Sequence, residues 1–151
     1  MATLAERGIF LGGTSDDLVR ELTRDEGLRL KPYRCTAGKL TIGVGRNLDD
    51  VGISQGEAEI LLRNDIDRAA EGLDRELPWW RNLDEVRQRV MVNMTFNLGI
   101  QGLTGFKNTI ELVRTGQYLD AAQHMMATKW AKQVGPRAER LALMMRDGKV
   151  A

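Results

Sequence analysis

The chain has 151 residues, the length of one domain with a single apolar core. Hydrophobic residues make up 42% and charged residues 28%, a globular balance that excludes a disordered or membrane-spanning chain. The 22 basic and 21 acidic side chains nearly cancel, so no net field draws the chain to nucleic acid. One cysteine, Cys35, excludes an internal disulfide and suits synthesis in a reducing cytoplasm.

Residues 1–14 show no basic start followed by a long apolar run, so they are read as an N-terminal extension and not a secretory leader. A single domain is expected over 15–151. Ser15 or Asp16 caps a short helix with the apolar face Leu18, Val19 and Leu22, and Gly27 stops it just after Glu26. From Tyr33 to Gly45 the pattern changes to glycines and the alternation Leu40, Ile42, which predicts a β-hairpin. Ser54 and Glu57 form a capping box for a long helix with the stripe Leu62, Ile66, Ala69, Leu73 and Leu77, ended by Pro78. Trp79-Trp80 anchors the next turn.

Asp84 opens a helix that is apolar on nearly every side through Val90, Met91, Val92, Met94, Phe96 and Leu98, with Asn93 its polar exception. Three short helices follow at Thr104 to Arg114, Gln117 to Lys129 and Pro136 to Arg146, separated by Gly116 and Gly135. Met91, Met94, Met125, Met126, Met144 and Met145 read as core filling. The architecture is α+β: a small β-hairpin lobe over about 27–60 is joined by the long helix to a larger helical lobe. That larger lobe also takes the N-terminal helix, and a cleft lies between the lobes.

Metal chemistry is poorly supplied, since the lone His124 and the lone Cys35 are far apart and match no ligand spacing; no metal and no cofactor are expected. A serine or cysteine hydrolase would have only His124 as its base, and Gly43-Val44-Gly45 lacks the further glycine and lysine of a phosphate loop. What remains is the block from Arg24 to Gly45, in which Glu26, Cys35 and Thr41 are spaced as glutamate, eight residues, cysteine, five residues, threonine. Asn93-Met94-Thr95-Phe96-Asn97, Gly105-Phe106-Lys107-Asn108, Lys129-Trp130 and Arg137-Ala138-Glu139-Arg140 follow in order.

These motifs resemble the phage-type lysozymes, the T-even lysozyme among them, from about Leu18 to Gly148. The resemblance implies a lysozyme-like fold. It also implies a peptidoglycan muramidase cutting the β-1,4 bond between N-acetylmuramic acid and N-acetylglucosamine. Glu26 takes the place of the general acid and Cys35 that of the family's commoner aspartate, while Thr41 holds a water through its hydroxyl. Phe96, Thr109 and His124 fall at substrate-contact positions, though only Phe96 keeps the family residue type, and Arg137 falls where an arginine orients the acid. Arg46 replaces a histidine and Asp65 stands at the place of that histidine's acidic partner, so an ion pair between them is expected. The segment from Asn47 to Ile53 is shorter than in the T-even lysozyme.

Bacterial peptidoglycan is the implied partner, for a monomer held in the host bacterial cytoplasm until a separate factor, a holin, releases it. Other readings start from the missing aspartate. A lytic transglycosylase would let the muramic acid's own hydroxyl attack, and a binding module would hold glycan without turnover. A structural role in a phage particle would use residues 1–14 as an attachment arm.

Overall fold

A computed structural model describes residues 14–151, so residues 1–13 of the expected extension lie outside the described residues. Helix α1 spans Thr14–Glu26 and carries Asp16 and Asp17 in its first turn, where the helix dipole favours acidic groups. It closes as the Gly27 N–H donates to the Thr23 carbonyl at 2.9 Å, which makes Glu26 its last residue. Of the expected apolar face, Val19 and Leu22 are exposed.

Three antiparallel strands follow in the order β1 (Arg29–Arg34), β2 (Leu40–Gly43) and β3 (Arg46–Asn47). Tyr33 pairs with Thr41 and Arg34 with Leu40, while on the other side of β2 Thr41 pairs with Asn47. The sheet is larger than the expected hairpin, beginning at Arg29 and gaining a third strand. Arg29, Leu30 and Lys31 are all exposed, so backbone pairing holds them and no apolar alternation betrays the strand. Polar contacts brace the sheet, with the Asp49 carboxylate accepting from the Leu40 N–H at 2.8 Å and Asn47 donating to Asp50 at 2.9 Å.

The described residues form two compact units, one up to residue 58 and one over 59–151. Among the described residues of the first, Thr41 is the one buried side chain. Helix α2 (Gln55–Glu76) opens on the expected capping box, in which Glu57 N–H donates to Ser54 Oγ at 3.1 Å and Ser54 N–H to Glu57 Oε1 at 2.9 Å. Past α2, Pro78–Asn82 form a 3-10 turn that the periodicity did not predict. Trp80 is its buried anchor, and its indole N–H donates to Asp74 at 2.7 Å.

Helix α3 (Glu85–Thr104) is capped by Asp84, which accepts from the Arg87 N–H at 3.1 Å, and is interrupted at Gly99. Helices α4 (Lys107–Arg114), α5 (Tyr118–Met126), α6 (Lys129–Val134) and α7 (Pro136–Asp147) complete the second unit. The expected helix from Gln117 to Lys129 is broken, because Thr128 turns extended and its hydroxyl caps α6 by accepting from the Ala131 N–H at 3.2 Å.

Leu73, Val90, Met91, Met94, Leu103, Met125, Trp130 and Met145 lie at the centre of one apolar cluster. Met126 departs from the expected core set: it follows Met125 on α5, points to another side of the helix and is 40% exposed. Helix α7 packs against α3, α5 and α6, and Arg87 of α3 fastens its end. The Arg87 guanidinium donates to the carbonyls of Met145 (2.7 Å) and Arg146 (2.9 Å), which α7 leaves without helical partners, and stacks on Tyr118.

Candidate active site

The first unit brings the end of α1 against the connection between β2 and β3. A Cβ placed on Gly45 would stand 3.2 Å from Glu26 Oε2, so the carboxyl lies directly over the backbone of that glycine. Glu26 is otherwise exposed.

Cys35 sits at the β1–β2 turn, which is closed by its own N–H to the Lys39 carbonyl at 3.0 Å and by the Gly38 N–H to the Cys35 carbonyl at 2.8 Å. The backbone N–H groups of Lys39 and Ala37 are aimed at its sulfur, and the Thr41 hydroxyl lies beside it. Donors of this kind favour the thiolate, and they hold the thiol below its ordinary value in spite of partial burial. Thr41 is only 4% exposed, and its single hydroxyl proton has the Lys39 carbonyl at 2.9 Å as well as the sulfur within reach. The spacing Glu26, Cys35, Thr41 thus becomes one helix end, one turn position and one strand position of a single unit.

Arg46 and Asp65, expected to pair, each have a partner within their own unit. Arg46 donates to Glu57 Oε1 at 2.8 Å and to the Gly52 carbonyl at 3.1 Å, while Asp65 is taken by Arg68, one turn along α2, at 3.2 Å. Glu57 wins because its carboxylate is already held at the start of α2 by Ser54. Arg46, and then Ser54, bring its pKa down to about 2. Glu57 therefore both caps α2 and anchors β3.

The remaining candidates belong to the second unit. Arg137 donates to Asn93 Oδ1 through Nε at 3.0 Å and through Nη2 at 2.7 Å. Arg137 and Asn93 line a cavity of about 520 Å³ with Phe96, Trp80 and Val92. Thr109 and His124 share a different cavity of about 440 Å³ with Phe106 and Lys107. The three expected substrate contacts are thus split, with Phe96 apart from the other two. Asn93 stands out in the sequence as the polar residue of an apolar helix, without a sign of its partner, and the glycine at 45 has a sufficient reason in the hairpin alone. Among the described residues no three His, Cys, Asp or Glu side chains converge on a point where a metal ion could sit.

Among the described residues, seven α-helices and a small antiparallel sheet, with a helix-end glutamate laid on the backbone after β2 and a thiol beside a hydroxyl of the same sheet, define a lysozyme-like α+β fold. The phage lysozyme family matches residues 23–147, and the chain belongs to that family. It is 32% identical to an endolysin of Acyrthosiphon pisum secondary endosymbiont phage 1, over 85% of this chain and 80% of that protein. It is 26% identical to probable T4-type lysozyme 1 of Dictyostelium discoideum, over 84% of this chain and 92% of that protein. The pre-baseplate central spike protein Gp5 of Enterobacteria phage T4 matches at 26% identity over 84% of this chain but 27% of its own length. The chain is therefore a glycoside hydrolase of the lysozyme type. No helix among the described residues is long and apolar enough to cross a membrane.

Proposed function

We propose that the domain over residues 15–151 is a muramidase that hydrolyses the β-1,4 bond between N-acetylmuramic acid and N-acetylglucosamine in bacterial peptidoglycan. Glu26 protonates the leaving glycosidic oxygen. Cys35 and the Thr41 hydroxyl hold and activate the water that attacks the sugar from its other face, the thiol serving as base when it is ionised. The observation that carries this reading is the setting of the Cys35 sulfur: N–H groups of Lys39 and Ala37 and the Thr41 hydroxyl favour the anion. An anion is what the position needs once aspartate is gone. Arg137 orients the acid, while Phe96, Thr109 and His124 contact the glycan. An endolysin's working life follows from the same reading: a monomer waits in the host bacterial cytoplasm and reaches the wall through a separate holin.

Clearing of purified cell walls tests the assignment. Glu26→Gln should lose turnover by about 10²–10⁴-fold, the usual contribution of a general acid, with unchanged thermal unfolding. Cys35→Ala should lose most turnover and Cys35→Asp should keep a substantial part of it. Full activity in Cys35→Ala with unchanged products would remove the thiol from the mechanism.

The lytic transglycosylase reading is favoured by one observation, the lack of a second carboxylate at the position of Cys35. Mass spectrometry of the digested glycan separates the two reactions, since the anhydro product lacks one water. Retained glycan binding without any turnover would instead select a binding module.

A further inference from the structure

We propose that Gly45 is a positioning residue for the reaction: its missing side chain leaves the space in which the Glu26 carboxyl rests, and the backbone there fixes where the acid's oxygen stands. The proposal rests on Glu26 being the acid. Strand β2 ends on Gly43, and Val44-Gly45 connect it to β3; both glycines have left-handed backbones, with φ of +68° and +74°. Either position strains an L side chain, so backbone shape alone accounts for glycine at both.

The surroundings separate them. A Cβ on Gly43 meets nothing within 4 Å, whereas a Cβ on Gly45 stands 3.2 Å from Glu26 Oε2, 3.5 Å from Cδ and 3.6 Å from Cγ. The terminal oxygen would have to give by a few tenths of an ångström. For most side chains a shift at the far end costs little, and here too the fold would absorb it. The atom that moves is, however, the one that carries the proton. A reacting group misplaced by about 1 Å loses on the order of 10² in rate, so a smaller displacement predicts a loss of about tenfold. Stability and turnover should therefore come apart at Gly45 and stay together at Gly43.

The experiment compares Gly45→Ala with Gly43→Ala, alongside Glu26→Gln, by thermal unfolding and by kcat and KM on soluble peptidoglycan glycan strands. The two alanine variants carry similar backbone strain, so their unfolding temperatures should fall alike. Per folded molecule, Gly45→Ala should lose about tenfold in kcat with KM unchanged, and Gly43→Ala less than about twofold. Equal kcat in the two overturns the proposal, and an inactive Glu26→Gln beside that result leaves the acid assignment standing. An active Glu26→Gln overturns the assignment itself and the proposal with it.

Should Gly45→Ala fail to fold, Gly45→Asn takes its place, since asparagine tolerates the left-handed region. The double variant Gly45→Ala/Glu26→Ala then decides the cause. Folding regained when the carboxyl is removed supports the contact, and folding still lost makes Gly45 a turn residue only and overturns the proposal.

Discussion

The two units are built from opposite materials. In the second, Leu73, Met94, Met125 and Met145 are inaccessible or nearly so and hold helices of six to twenty residues together by apolar packing. In the first, Leu28, Leu30, Val51 and Ile53 are exposed, Thr41 is the one buried side chain among the described residues, and the sheet is braced by Asp49, Asn47, Arg46 and Glu57. The proposed chemistry sits on the unit held by polar contacts. Hydrogen bonds fix direction as well as distance, so a polar unit sets the angles of a carboxyl, a thiol and a hydroxyl more closely than apolar packing does.

That comparison breaks most sharply on a matched pair of leucine truncations. Leu73→Ala empties a site with no solvent exposure and should cost about 2–5 kcal/mol of unfolding free energy. Leu30→Ala, at a position 82% exposed, should change stability by less than about 0.5 kcal/mol. Urea unfolding measures both, and a comparable loss at Leu30 would contradict the polar description of the first unit.

A smaller effect is expected at Arg87, where the second unit uses a polar contact of its own. With its side chain only 13% exposed and two α7 carbonyls depending on it, Arg87→Ala should cost about 1.5–3 kcal/mol. Arg87→Lys should recover only part, because one ammonium lacks the planar fork that reaches both carbonyls and stacks on Tyr118. Denaturant midpoints give both values.

The smallest effect is acid sensitivity, and it labels each unit separately. Arg46 and Ser54 lower Glu57 to about 2, and Arg81 and Trp80 lower Asp74 to about 2. A carboxyl whose folded value is depressed stabilises fully above its ordinary value and loses that contribution as the pH falls. For these two the window lies between the ordinary 4.5 or 3.8 and about 2. Amide signals of β3 should therefore change over that window and become insensitive in Glu57→Gln, while the Trp80 indole signal should respond to Asp74→Asn instead.

Sequence signals were clearest where a local rule has a single reading. Gly27 after Glu26, the Ser54–Glu57 box, Asp84 before α3 and Pro136 at the start of α7 all stand where the periodicity placed them. The missed features depend on neighbours distant in the chain or on competition between local partners. The first part of β1 has no apolar face to read, and Thr128 breaks a run that propensity alone would carry through. Arg46 was expected to pair with Asp65, and the cap geometry that holds Glu57 at the start of α2 gives it another partner. Of the proposed site, Glu26, Cys35 and Thr41 were legible as a spacing, and the β1–β2 turn converts the fixed separation of Cys35 and Thr41 into proximity. The tie between Gly45 and Glu26 was not, since a glycine in a hairpin already has a sufficient local reason to be there.

The clasp of Arg87 on the last turn of α7 also bears on how the protein is made. Arg87 reaches carbonyls 58 and 59 residues further along the chain, and α7 is the helix against which α3, α5 and α6 all pack. During synthesis the first unit and most of the second leave the ribosome before those partners exist. The apolar sides of α3 and α5 must then wait uncovered until residue 146 emerges, a span in which nascent chains attract chaperones. The unit that carries the proposed chemistry is complete early, and the unit that gives the molecule its stability closes only with its last helix.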